Sequence, residues 1–328
     1  MTKVVRVHKP GGPEALVIED LEVGAPGPGE ALVKIDAIGL NRSEALFRQG
    51  GYIQPPSLPT LIGYEASGVV EATGPEVPFP LIGERVSILP MFQQGRYGVY
   101  AEKAIVPARA LLPAPEGLSQ VEAAAIWMQY FTAMAVTEFG KAGIGDFVLI
   151  PAASSSVGLA AIQLCNWAGA TPIALTRRGG KAEALKAQGA AHVVATEEQD
   201  LVEEVKRITL GKGARIAFDP VGGPYVETLA QALSEDGVLF IYGGLSGQPT
   251  PYPHWSAAFK NLSLRGWVAS TIWGKPDRFA RGQALILQGL EDGRLKPVID
   301  RTFKLDDIVE AHRYLESNQQ VGKIVVTV

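Results

Sequence analysis

The chain has 328 residues, too long for one small module and about the length of two ordinary domains. Hydrophobic residues make up 47% of it and charged residues 20%, which excludes intrinsic disorder, and 30 basic against 34 acidic side chains give a net charge of -4, the wrong sign for a dedicated nucleic-acid binder. Its single cysteine, Cys165, excludes an intramolecular disulfide and a CxxC zinc site, and reads as a small buried residue in a reducing compartment.

The opening MTKVVRVHKPGG alternates apolar with charged residues instead of building a signal sequence. No later run approaches the roughly 18 apolar residues of a membrane span. A cytoplasmic protein without a membrane partner is expected. Up to about residue 120, the short runs VVRV, ALVKIDAI, SGVVEA and RVSI are punctuated by GG, PGPG, PPS and GPEVPFP turns, which predicts a β-rich domain of short strands.

From Val121 the texture changes to helix-length apolar patterns, beginning with VEAAAIWMQYFTAMAVTEFG. Strands then alternate with helices: DFVLIPA, VGLAAIQLCNWAG, TPIALT, KAEALKAQG, HVVAT, DLVEEVKRITLG, RIAFDPV, YVETLAQALS and GVLFIYGG. Successive βα steps of this kind predict a doubly wound parallel sheet. After about residue 260 come LSLRGWVAS, a helix around residues 280–289 and a closing strand KIVVTV, a stretch expected to rejoin the first domain.

At PAASSSVGLAAIQ a strand, a tight turn and a helix meet, which would aim helix N-terminal amides at a pyrophosphate. The turn is glycine-poor. Ser154, Ser155 and Ser156 stand where glycines are usual and only Gly158 remains, so either the serines serve a phosphate or they simply cap the helix. At the end of the next strand, where NAD enzymes carry an acidic residue for the ribose, the chain has Thr176, Arg177 and Arg178, followed by Lys181. That positive charge suits a ribose 2′-phosphate and predicts NADPH over NADH.

With NRSEALFRQGGY at 41–52, LPTLIGYEASGVVEATG at 58–74, GERV at 83–86, AAAIWMQYFTA at 123–133, GDFVLIPAASSSVG at 145–158 and QQVGKIVVTV at the end, the chain resembles the medium-chain dehydrogenase/reductase superfamily, and within it the zinc-independent quinone oxidoreductase and ζ-crystallin-like branch. The resemblance implies an α/β protein with a GroES-like catalytic domain over residues 1–121, completed by 268–328, and a Rossmann domain over 122–267. It also implies a cofactor in the cleft and a homodimer joined through the Rossmann sheets, here near LSLRGWVAS.

Zinc enzymes of the superfamily have histidine after the glycine of their GHE motif, where this chain has Tyr64, and a cysteine near 41–43 that is absent here. Glu65 remains, but one carboxylate does not make a tetrahedral site. His8, His192, His254 and His312 show no ligand spacing and are expected at the surface or in turns. No metal is expected. A site without a Lewis acid favours hydride delivery to an activated acceptor over alcohol oxidation.

By resemblance, Tyr52 is the proton donor or oxyanion partner, and Asn41 hydrogen-bonds near the nicotinamide ribose and substrate, although it also reads as an Asx turn. The further cofactor contacts implied are Thr132, Ser155, Ser156, Val157, Thr176, Arg177, Lys181, Thr196, Tyr242, Gly243, Gly244, Leu245, Ala269, Ser270 and Thr271, the last three through their backbone. Lys323 reads as a strand-edge lysine in preference to a phosphate ligand. Phe47, Met91, Phe92, Trp127 and Tyr130 lie in segments that would line an apolar cleft or fill the core. The expected activity is NADPH-dependent reduction of quinones or α,β-unsaturated carbonyls; the alternative is an NADPH-binding, ζ-crystallin-like protein with little turnover.

Overall fold

A computed structural model describes residues 1–52 and 55–328, and the chain divides into two compact units, Met1–Met128 with Ile299–Val328, and Gln129–Val298. The chain opens with strands β1 (Thr2–Val7), β2 (Leu16–Leu21), β3 (Glu30–Gly39), β4 (Thr60–Leu61), β5 (Glu65–Thr73), β6 (Arg85–Ile88), β7 (Lys103–Pro107) and β8 (Leu111–Pro113). The second unit follows with β9 (Phe147–Ile150), β10 (Thr171–Thr176), β11 (His192–Ala195), β12 (Ala214–Asp219), β13 (Leu233–Ile241) and β14 (Ser263–Gly266). Two last strands, β15 (Ile299–Lys304) and β16 (Lys323–Thr327), return to the first unit.

In the first unit one sheet runs β15-β16-β3-β5-β6-β8, with β7 also paired to β3, and a smaller sheet runs β2-β1-β4. The alternation of β3 puts Ala31, Val33, Ile35 and Ala37 inside, each at most 1% exposed. In the second unit all six strands are parallel in the order β11-β10-β9-β12-β13-β14. This is the doubly wound order, with its switch point at β9. Helices on both faces explain why β9 reads as a continuous apolar run, and Val148, Leu149 and Ile150 are fully buried.

The return to the first unit comes at Ile299 and not at residue 268. The helix Pro276–Glu291 packs within the second unit: a Cβ on Gly282 would lie 2.9 Å from Phe131 and 3.3 Å from Ile272, and one on Gly289 would lie 2.5 Å from Leu295 and 2.8 Å from Trp167. Its amphipathic pattern signals a buried face without naming the core it joins. The apolar stretch from Val121 is also not one helix; it forms Gln120–Ala123, Trp127–Met134 and a π-helical turn, Ala135–Phe139.

Candidate functional site: one sheet edge and a buried polar network

Because the second unit's strands are parallel, the segments that follow them emerge at one edge of the sheet. The turn after β9 is held by Ala152 in a left-handed conformation (φ 48°) and by the Ala153 amide donating to the Leu175 carbonyl at 3.2 Å. Ser155 is the N-cap of the helix Ser156–Ala168; its hydroxyl oxygen accepts from the Gly158 amide at 3.0 Å. The first-turn amides, those of Ser156 and Val157 among them, lack intrahelical acceptors and are the donors such a turn offers an anion. Gly158 is required by packing, since a Cβ there would lie 2.6 Å from the Ala153 carbonyl oxygen.

At the end of β10 the two arginines differ. Arg178 donates from Nε to Glu197 at 2.9 Å, an acidic partner that strand-end spacing did not reveal. The Arg177 side chain is exposed and forms no hydrogen bond or ion pair among the described residues, while its carbonyl is fixed by the Glu197 amide at 2.9 Å. Lys181 Nζ donates to Ser154 Oγ at 2.9 Å, so this turn and the serine turn meet. Thr176 and Thr196 are tied to each other: the Thr196 amide and hydroxyl donate to the Thr176 carbonyl at 2.8 and 3.3 Å.

Farther along the edge, Thr132 is 7% exposed, and its carbonyl accepts from the Trp267 indole at 2.8 Å, a fixing contact the sequence did not suggest. Tyr242 stacks on Phe218 with centroids 4.1 Å apart, and its phenol oxygen is buried without a hydrogen-bond partner among the described residues. Burial, reinforced by nearby Asp219, holds that phenol well above its usual range. The open part of this loop is therefore Gly244 and Leu245, both exposed, with Gly243 beneath, where a Cβ would lie 2.5 Å from the Pro220 carbonyl oxygen. Ala269 and Ser270 begin a short helix, Ser270–Trp273, and the Thr271 amide is spent on the Val268 carbonyl at 3.0 Å.

In the first unit β3 ends at Gly39, and Asn41, two residues on, is the N-cap of the helix Arg42–Arg48. Glu44, fully buried, accepts from the Asn41 amide at 2.6 Å, from Asn41 Nδ2 at 3.2 Å and from the Tyr64 amide at 3.2 Å. Burial pushes its carboxyl up to about 7 although Lys323 and the Asn41 bonds pull it down. Tyr52 is half-buried against the apolar core, and burial, then nearby Glu44, raises its phenol above the ordinary value. Tyr64 is likewise half-buried, its ring 5.8 Å from that of Phe92, and burial raises its phenol as well.

Lys323 is neither a strand-edge side chain nor a phosphate ligand. β16 lies inside the sheet between β15 and β3, and the 1% exposed ammonium donates to Glu65 and to Asn41 Oδ1, both at 2.6 Å. The second oxygen of Glu65 accepts from the Met128 amide at 2.9 Å. His312, expected at the surface, is fully buried with Nε2 3.1 Å from the Tyr100 hydroxyl, and burial drives its pKa to about 3, so it is neutral. Trp127 and Tyr130 are fully buried core residues, as is Cys165; Phe47 and Phe92 are nearly so, at 3% and 8% exposed.

Residues 27–116 match the family described as "Alcohol dehydrogenase GroES-like domain" and residues 156–286 the family described as "Zinc-binding dehydrogenase". The chain is 30% identical to a 2-haloacrylate reductase of Burkholderia sp. over 99% of both chains. It is similar in structure to the Escherichia coli quinone oxidoreductase complexed with NADPH, at TM-score 0.92 and 27% identity over 99% of this chain and all of that one. An NAD-dependent alcohol dehydrogenase structure gives TM-score 0.87 and 33% identity over 99% of each chain.

Zinc does not fit the residues present. Tyr64 stands beside Glu65, whose carboxylate is already neutralised by Lys323, and among the described residues no three His, Cys, Asp or Glu side chains gather as a ligand set. Two domain matches in chain order and a relative aligned from end to end agree with the doubly wound sheet and its β-rich companion. The chain belongs to the medium-chain dehydrogenase/reductase superfamily, within its zinc-independent quinone oxidoreductase branch, and is an oxidoreductase.

Proposed function

We propose that the protein is an NADPH-dependent reductase of quinones or α,β-unsaturated carbonyls, cytoplasmic and working as a homodimer without zinc. The observation that carries the cofactor choice is the contrast at the end of β10, where Arg178 is neutralised by Glu197 while Arg177 stays exposed and unpaired among the described residues, and Lys181 bonds to Ser154. A 2′-phosphate suits an unpaired guanidinium, whereas a ribose diol calls for a carboxylate. The quinone oxidoreductase complexed with NADPH supports this reading.

NADPH when bound supplies a hydride at its nicotinamide. The serine turn and the Gly158 close approach suit its pyrophosphate, and the Gly243 to Leu245 loop its nicotinamide half. Tyr52, a phenol kept protonated by burial, donates a hydrogen bond or a proton to the carbonyl oxygen of the acceptor as negative charge develops there. An enone thereby takes up hydride and a proton across its conjugated double bond; a quinone becomes a hydroquinone.

The dimer reading rests on β14, an end strand of the parallel sheet, and on the preceding helix His254–Phe259, which exposes Trp255 at 67% and Phe259 at 81%. Sedimentation of the protein tests it, with a two-chain species expected. Steady-state oxidation of NADPH against 1,4-benzoquinone, an enone series and simple alcohols with NADP+ tests the activity. Turnover of the first two groups is expected; alcohol oxidation without quinone or enone reduction would overturn the proposal.

A further inference from the structure

The basic turn after β10 is gripped by an acidic loop. Residues 176–181 carry the cations Arg177, Arg178 and Lys181, and residues 196–199, which follow β11, carry the anions Glu197 and Glu198. The parallel pairing of β10 with β11 runs up to Thr176 and Ala195, and the Thr196 and Glu197 amides extend it by donating to the Thr176 and Arg177 carbonyls at 2.8 and 2.9 Å. The acidic side is fixed as well, because the Glu198 and Gln199 amides both donate to the Ala195 carbonyl, at 3.0 and 2.8 Å. Both carboxylates are thereby delivered to the turn. Glu197 accepts from Arg178 Nε at 2.9 Å, and Glu198 accepts from the Gly179 amide with its two oxygens at 3.2 and 3.3 Å.

A guanidinium and a backbone amide at the head of a helical turn are the two kinds of donor that a phosphate takes. Here each already holds a carboxylate of the same chain, although Arg178, Glu197 and Glu198 are all exposed and no burial calls for the pairing. We infer that Glu197 and Glu198 are specificity-determining residues, which compete with the cofactor's 2′-phosphate for Arg178 and for the Gly179 amide. On this inference, which rests on the proposed NADPH function, a 2′-phosphate has to displace the carboxylates and meets their charge, whereas a ribose diol donates to a carboxylate and is spared the repulsion. Exposed ion pairs are weak, so the carboxylates act as a brake and not as a block. Arg177 sets the preference for NADPH, and the two glutamates hold it below what three cations would give.

The test is a set of fluorescence titrations with NADPH and NADH on the full chain, comparing the wild type with Glu197→Gln/Glu198→Gln and with the same variant carrying Arg178→Ala as well. Glutamine keeps an acceptor oxygen for each donor, so the isosteric change removes charge and leaves the turn its bonds. At low ionic strength the double variant should bind NADPH about five- to tenfold tighter while NADH stays within about twofold, and the gain should shrink at high salt as exposed charges are screened. Adding Arg178→Ala should remove the larger part of the gain.

NADPH binding that is unchanged or weaker in the double variant, or tightened equally with NADH, would overturn the inference while leaving the NADPH reading in place. A gain kept in full without Arg178 would assign it to net charge and would also overturn the competition. If the wild type fails to bind NADPH and the double variant binds it, the brake is supported in its strongest form; if neither binds it, the NADPH reading and the inference fall together.

Discussion

Lys181 Nζ and Ser154 Oγ lie 2.9 Å apart, joining the turn after the second parallel strand to the turn after the first. Through that bond the two phosphate-binding candidates form one patch, and Arg177, four residues before Lys181 in the chain, is exposed with no side-chain partner among the described residues. Most of the site's expected chemistry depends on this patch discriminating a phosphate from a hydroxyl.

Arg177→Ala should weaken NADPH by about 10- to 100-fold, the value of a charge-assisted contact to phosphate, and leave NADH within about twofold. Parallel fluorescence titrations with both nucleotides measure this. Equal losses for the two would contradict the phosphate assignment, and Arg178→Ala, which removes a residue already paired with Glu197, should change NADPH binding far less.

Tyr52→Phe removes only the phenol oxygen. Enone reduction should lose about 10²- to 10⁴-fold in kcat, as for a general acid, with the NADPH dissociation constant unchanged. Stopped-flow decay of NADPH absorbance under single-turnover conditions separates this from slow product release. A hydride-transfer rate equal to wild type would remove Tyr52 from the chemistry.

Gly158→Ala places a methyl group 2.6 Å from the Ala153 carbonyl oxygen, so backbone must move to admit it. A loss of about 1–3 kcal/mol is expected, typical of overpacking. Thermal unfolding measures it, and the same variant should weaken NADPH and NADH alike because the shared pyrophosphate turn is what shifts. Unaltered stability would mean that the helix start is not held against that carbonyl.

The raised carboxyl of Glu44 has a sign that can be checked. Between its ordinary value of 4.5 and about 7, the folded chain holds a proton that the unfolded chain has lost. Stability contributed through this group is therefore full below the lower value and falls as pH rises through the upper one. Urea unfolding at steps across that window should show the decline, and Glu44→Gln should flatten it. A slope of opposite sign would mean that the three N–H donors and Lys323 outweigh burial.

The succession of parallel strands and helices along the chain was legible in the sequence, because each βα step carries its own period and the β10 segment TPIALT coincides with the observed strand. The arginine pair was also legible as charge, but not the difference between its members, since Glu197 becomes the partner of Arg178 only when the third strand lies beside the second. Lys323 shows the limit most clearly. Its neighbours in sequence, VGKIVVTV, describe a strand with a lysine at its end, whereas its burial comes from Glu65 and Asn41, 258 and 282 residues away. His312 is hidden in the same way behind its contact with Tyr100, 212 residues earlier. Pairings at such separations are fixed by sheet order, which local pattern does not encode.

The most direct measurement of the central claim is a titration of the wild-type protein with NADPH and with NADH by cofactor fluorescence, followed in the same cuvette by 1,4-benzoquinone or an enone. NADPH binding at least tenfold tighter than NADH, with oxidation of the bound nucleotide on adding the acceptor, is the predicted result. Preference for NADH, or tight NADPH binding with no oxidation by any acceptor, would contradict the account.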